Sequence, residues 1–224
     1  MTPLIVMPAV KNVHVTREAL DSVISLGVDI IVCANGADQD VIQLFTEFKE
    51  KFRNISIWHE PVNIGVNPVW NKFVQHFLAS SYTHIGILSS DVIMQSQFLE
   101  VLQNRDIPNE MPIPIEVDKV TVYEKLDPAG QVGQVVTEGT NGIFIWLSKE
   151  QARIAFPIPD GIKIWFGDNW IHEKLRIAGH KTVILGNFQA FHHGSVTLKE
   201  MSTSSEDIER DKINWQTIRK QLYE

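Results

Sequence analysis

The chain has one cysteine, no surplus of basic charge and no hydrophobic run near the length of a membrane span. Each absence excludes something. A lone Cys33 forbids an intrachain disulfide and suits a reducing compartment. Lying in the apolar run Ile30-Ile31-Val32-Cys33, it reads as a small buried hydrophobe and not a nucleophile. With 20 Lys and Arg against 27 Asp and Glu, the formal charge of −7 argues against a broad nucleic-acid-binding face. Such a face needs clustered cations to neutralise phosphates. No apolar stretch approaches the roughly 20 residues that cross a bilayer. No basic segment precedes the first apolar run, Leu4-Ile5-Val6-Met7, so a cytoplasmic location without membrane insertion is expected. There is no Gly-x-Gly-x-x-Gly and no Walker-type loop, which counts against a dinucleotide oxidoreductase and a P-loop enzyme. Internal repeats and low-complexity segments are absent as well.

What is present is an ordinary globular balance, 44% hydrophobic and 21% charged over 224 residues, enough to bury the core of one domain. The first half alternates between two periodicities. Strands are expected over residues 4–7, 29–33, 55–59 and 85–88, with helices over 16–26, 38–52 and 68–79 between them. Thr16 is the expected cap of the first helix, and Val41, Leu44, Phe45 and Phe48 make the apolar face of the second. This order implies a parallel sheet with helices on both faces.

The middle is less regular. Pro108, Pro112 and Pro114 punctuate an exposed connection, and a hairpin through Pro128-Ala129-Gly130 is expected between 117 and 136. Strands follow over 143–147, 182–185 and 188–192, with a loop at 157–161 and a helix over 169–178. A terminal helix from about 205 to 223 carries the apolar stripe Trp215, Ile218 and Leu222, with Glu206 and Asp207 at its positive end. The expected division is a main domain over 1–200 and a helical extension over 201–224 packed on it.

Polar residues cluster where strands end. Ser89-Ser90-Asp91 follows the fourth strand, and in an open α/β sheet ligands bind beyond the carboxyl ends of the strands. A carboxylate there can hold a divalent cation, although a strand-terminal Asp is also a common turn residue. Ala34-Asn35-Gly36 follows the second strand, and Asn63-Ile64-Gly65-Val66-Asn67 precedes the helix that holds Asn71. Gly167-Asp168-Asn169-Trp170 opens a later helix, in which Asp168 has a helix cap as its plain alternative, and His192-His193-Gly194-Ser195 ends the last strand. Trp165 and Trp170 flank Asp168 and suit either stacking on an acceptor or lid packing.

In this order the patterns resemble those of the GT-A nucleotide-sugar glycosyltransferases, in particular glycosyltransferase family 2. The likeness rests on Met7-Pro8, on Asn63, Gly65 and Asn71, on Ser89-Ser90-Asp91 at the Asp-x-Asp position, on Gly167-Asp168 with Arg176 and Gly179, and on His192 to Ser195. It runs from about residue 3 to 197. It implies a Rossmann-like, mostly parallel central sheet with helices on both faces and a C-terminal helix. It further implies a metal-dependent, inverting sugar transfer from a nucleotide diphosphate donor, UDP-sugar by default, to a hydroxyl of a glycan or of a modified nucleic-acid base. By that resemblance Pro8, Ala34, Asn35, Asn63, Gly65, Asn71, Ser89, Ser90 and Asp91 bind the donor. Asp91 with His192 or His193 holds Mn²⁺ or Mg²⁺, the late motif selecting His192. Asp168 is the general base, and Trp165, Asn169 and Trp170 contact the acceptor. Ser89 stands where the family carries the first carboxylate. A non-catalytic nucleotide-sugar binder and a nucleotidyltransferase are the alternatives.

Overall fold

The computed structural model describes residues 1–104, 108–123, 134–136, 142–194 and 205–224. Its main sheet has the order β3-β2-β1-β4-β8: β1 (Pro3–Ala9), β2 (Asp29–Asn35), β3 (Ile55–Glu60), β4 (His84–Leu88) and β8 (Phe144–Ser148). The first four are mutually parallel and β8 runs antiparallel to β4. Every residue of β1 is buried, as expected for a central strand covered on both faces. One face packs on α1 (Val13–Ile24) and α2 (Gln39–Lys51), the other on α3 (Val66–Ala79). Cys33 sits at 1% exposure in the second of these cores, and burial pushes its thiol up to about 12.

The strand order decides where a ligand can sit. The chain lays β2 and β3 on one side of β1 and then crosses to place β4 on the other. The loops leaving β1 and β4 therefore diverge, which opens a crevice at the carboxyl ends of the strands. A second sheet closes that end: β5 (Val92–Met94), β9 (Lys181–His192) and β6 (Glu110–Glu116), with β7 (Gln134–Val136) also paired to β9. The remaining helices are α4 (Phe98–Asn104), α5 (Lys119–Tyr123), α6 (Lys149–Ala155), α7 (Gly167–Ile177) and α8 (Ser205–Gln221). Among the described residues no helix is long and apolar enough to cross a membrane.

Several expectations are corrected. Helix α1 starts at Val13, after Asn12 in the left-handed region (φ 64°); Thr16 lies inside the helix, fully buried, and does not cap it. Pro112 and Pro114 do not punctuate an exposed connection but lie within β6, which pairs with β9 alone, so the missing N–H groups fall on an edge strand. The two strands expected over 182–185 and 188–192 are one, β9, in which Leu185 pairs with Pro114 and Gln189 with Ile115, an irregularity that absorbs Gly186 to Phe188. The expected hairpin tip at Pro128–Gly130 lies outside the described residues, and β7 pairs with β9. Helix α7 begins at Gly167, so Asp168 belongs to its first turn and is not its cap.

Candidate active site

A cavity of about 470 Å³ lies at the carboxyl ends of β1, β2 and β4, within the range usual for small-molecule sites. Pro8 to Val10, Asn35, Asn63 and Ser89 to Asp91 line one side, and Ile164 to Asn169 the other. Asn35 is 2% exposed. Its Nδ2 donates to Asn63 Oδ1 (3.0 Å) and the Gly65 carbonyl (3.3 Å), while its Oδ1 accepts from the Ile64 N–H (3.0 Å). Its amide is thus spent on bracing the 63–65 loop. Asn63 Oδ1 also accepts from the Gly65 N–H at 2.9 Å. Gly65 itself has φ +92°, and a Cβ there would meet the Lys163 carbonyl oxygen at 2.6 Å. Only glycine fits where this loop touches the opposite wall.

At one end of the cavity Asp91 and His192 face each other. Val92 pairs with His192 across β5 and β9, and the His193 N–H donates to the Asp91 carbonyl at 3.0 Å. This register sets Asp91 Oδ2 at 3.4 Å from His192 Nε2, with Glu116 Oε1 3.7 Å from the other ring nitrogen. Successive residues of a strand point to opposite faces. His193 accordingly turns away, its Nε2 2.8 Å from Glu18 Oε2, and Glu18 also meets Lys119 at 2.6 Å. The ammonium of Lys119 is the main reason the Glu18 carboxyl lies below the usual carboxylate range. His193 is therefore removed from the expected cation ligands. Among the described residues no group of three or more His, Cys, Asp or Glu side chains gathers as a cation site. Asp91 and His192 bring one carboxylate oxygen and one imidazole nitrogen to this end of the cavity. That mixed pair suits a borderline cation that completes its shell from ligand oxygens.

Asp168 stands on the far wall, where burial pushes its carboxyl up to about 6 against the opposing pull of the Asn169, Asp168 and Gly142 N–H groups. The Asn169 N–H donates to its Oδ1 at 2.9 Å. No charged side chain contributes to the shift. The loop that leads into the Asp168 helix is locked to α3 by Asn67, which the sequence placed in a motif but gave no role. The Asn67 Nδ2 donates to the carbonyls of Ile162 and Trp165, both at 3.1 Å, and the Asn67 N–H donates to the Lys163 carbonyl at 3.0 Å. A Cβ on Gly167 would stand 2.0 Å from Asn67 Oδ1. Gly167→Ala is expected to destabilise by about 1–3 kcal/mol through overpacking, read as a lowered urea midpoint at unchanged slope.

The second missed residue is Asp211 of α8, fully buried. Its Oδ2 accepts from three consecutive backbone N–H groups, Lys163 (3.0 Å), Ile164 (2.8 Å) and Trp165 (3.1 Å). Trp215 stacks on Phe166 at 6.0 Å between centroids. Farther along, Glu173 of α7 pairs with Arg176, Arg219 and the Tyr223 hydroxyl. The sequence held a signal: Asp211 is spaced 4, 7 and 11 residues before Trp215, Ile218 and Leu222, so it falls on the apolar stripe.

Three further expected site residues lie elsewhere. Ala34 points into the core at 0% exposure, on the opposite face of β2 from Asn35. Asn71 straps α3 to the loop beyond α6, its Oδ1 accepting from the Ile158 N–H and its Nδ2 donating to the Ile158 carbonyl, both at 2.8 Å. Trp170 turns away from the cavity: its indole N–H donates to the Ala155 carbonyl at 2.7 Å and Lys174 lies over its ring. Trp165 and Asn169 remain on the lining.

No protein-family model matches the chain, and no curated protein matches it in sequence. Solved structures do match its fold. A mannosyltransferase from Pyrobaculum calidifontis, in complex with GDP-Man and Mn²⁺, superposes with a TM-score of 0.67 at 11% identity, over 85% of this chain and 56% of that one. GalNAc-T7 with UDP, GalNAc and Mn²⁺ gives 0.67 at 10%, over 86% and 44%. TarS from S. aureus with UDP gives 0.63 at 11%, over 95% and 69%. The chain thus spans about half the length of the first two. The fold is that of the GT-A glycosyltransferases.

Proposed function

We propose that this GT-A-fold chain is a metal-dependent, inverting glycosyltransferase that uses a nucleotide diphosphate sugar, UDP-sugar by default. The observation that carries the reading is that one cavity holds both the Asp91–His192 pair and the Asp168 carboxyl on the wall across from it. The nucleotide lies across the ends of β1, β2 and β4, against Pro8, Asn63, Gly65 and Ser90. A Mn²⁺ or Mg²⁺ held by Asp91 and His192 would neutralise charge on the leaving diphosphate. The acceptor, a glycan or a modified nucleic-acid base, presents its hydroxyl beside Trp165 and Asn169. Asp168 takes the hydroxyl proton as that oxygen bonds to the anomeric carbon. The bond from that carbon to the diphosphate oxygen breaks, and the nucleoside diphosphate leaves with the electron pair. Attack opposite the leaving group inverts the anomeric centre. A carboxyl near 6 is largely ionised at neutral pH yet more basic than a free carboxylate, which suits a general base.

A non-catalytic nucleotide-sugar binder is the second reading, favoured by Ser89 at the first Asp-x-Asp position. Thermal unfolding with a panel of nucleoside diphosphates, each with and without Mn²⁺, tests the donor site common to both. A ligand at ~100 times its dissociation constant adds about 2.7 kcal/mol. The expected result is a raised midpoint that needs one nucleotide and the cation together. No shift with any nucleotide would overturn the donor assignment.

A further inference from the structure

Ser89 has a role that its position in the motif does not suggest. Beyond the last paired residues of β4 and β8, Leu88 and Phe144, the ladder continues through the Ser89 N–H, which donates to the Ile143 carbonyl at 3.0 Å. The Ser89 hydroxyl donates to the Gly142 carbonyl at 3.3 Å. Two successive peptide units of this turn are therefore held by one residue. The Gly142 N–H, on the other side of the same α-carbon, opposes the upward push of burial on the Asp168 carboxyl. Contact is close on this side: a Cβ at Gly142 would lie 3.3 Å from the Trp70 ring and 3.4 Å from the Asp168 Cβ.

We propose that Ser89 is a positioning residue for Asp168, acting through the backbone of Gly142, rather than a weakened cation ligand. The catalytic meaning of that role rests on Asp168 being the base proposed above; the coupling itself does not. The hydroxyl proton is committed to the Gly142 carbonyl. A carboxylate in its place brings an acceptor against an acceptor. Restoring the second acid of an Asp-x-Asp motif is therefore expected to disturb the base.

The effect is read without any substrate, by carbon-13 NMR titration of the Asp168 carboxyl, assigned by its loss in Asp168→Asn. An N–H donated to a carboxylate favours the ionised form. Ser89→Ala, at a half-buried site that tolerates the smaller side chain, is expected to raise the midpoint by about half a pH unit or more. Ser89→Thr, which keeps the hydroxyl, is expected to leave it in place, and Ser89→Asp to raise it at least as far as alanine. An unchanged midpoint in a folded Ser89→Ala protein, even one with lowered thermal stability, overturns the proposal, as does an equal rise in Ser89→Thr. Failure of the nucleotide panel bears only on the transfer reading and leaves this titration interpretable.

Discussion

Asp211→Ala is expected to cost more stability than any other single surface-helix change, about 3 kcal/mol or more. The alanine leaves three converging, part-buried backbone N–H groups without their acceptor, at about 1–3 kcal/mol for each one that water does not reach. Part is recovered if water reaches the loop, which sets the lower bound. For a chain of this size the loss lowers Tm by roughly 6–12 °C. Asp211→Asn keeps one carbonyl oxygen for the same donors and is expected to lose less than half as much. Circular dichroism melts give the magnitudes. Amide exchange locates the effect, because faster exchange at 163–165 in the alanine variant ties the loss to the cavity wall. Equal acceleration throughout the chain would place it elsewhere.

The second large effect has opposite signs for stability and for activity. Asp168→Asn is expected to abolish base catalysis, lowering turnover ~10²–10⁴-fold, while nucleotide binding persists. A pure binder would retain its function in this variant. The same substitution is expected to raise stability at neutral pH. Burial lifts the Asp168 carboxyl from 3.8 to about 6, so the folded protein binds more protons than the unfolded chain between those values. Stability from this group is then present below about pH 4 and lost as pH rises through 6. At about 1.4 kcal/mol per pH unit, the penalty above pH 6 is about 1–3 kcal/mol. The neutral amide escapes it, less whatever the Gly142 N–H loses as a donor. Urea unfolding at pH 4, 5, 6 and 7.5 checks the sign: the advantage of Asp168→Asn should grow with pH. A constant difference would mean that the carboxyl titrates normally.

Much of this was legible in the residues. Strict alternation of strand and helix periodicity set the parallel sheet, and polar residues after Leu88 and Ala34 marked the end at which the cavity lies. What the sequence hid were side chains whose partners lie far along the chain. Asn71 and Trp170 match motif positions, yet their polar atoms are taken by carbonyls of residues 158 and 155. Asn67 and Asp211 look like a helix-start amide and a solvated acid until loop 162–165 folds onto them. Strand alternation, which is local, lets only one of His192 and His193 face the cavity, and the motif spacing picks His192. The irregularity in β9 was not legible, since it depends on the register of β6.

The wall formed by residues 163–165 owes its shape to a carboxylate 46 to 48 residues away. Its conformation is fixed when the chain folds, by a contact that involves no ligand. On the transfer reading proposed above, a nucleotide or acceptor would meet a surface already set, with little ordering entropy of this segment opposing its association. The same coupling ties the cavity to α8: a change along that helix that moves Asp211 shifts the 163–165 backbone with it.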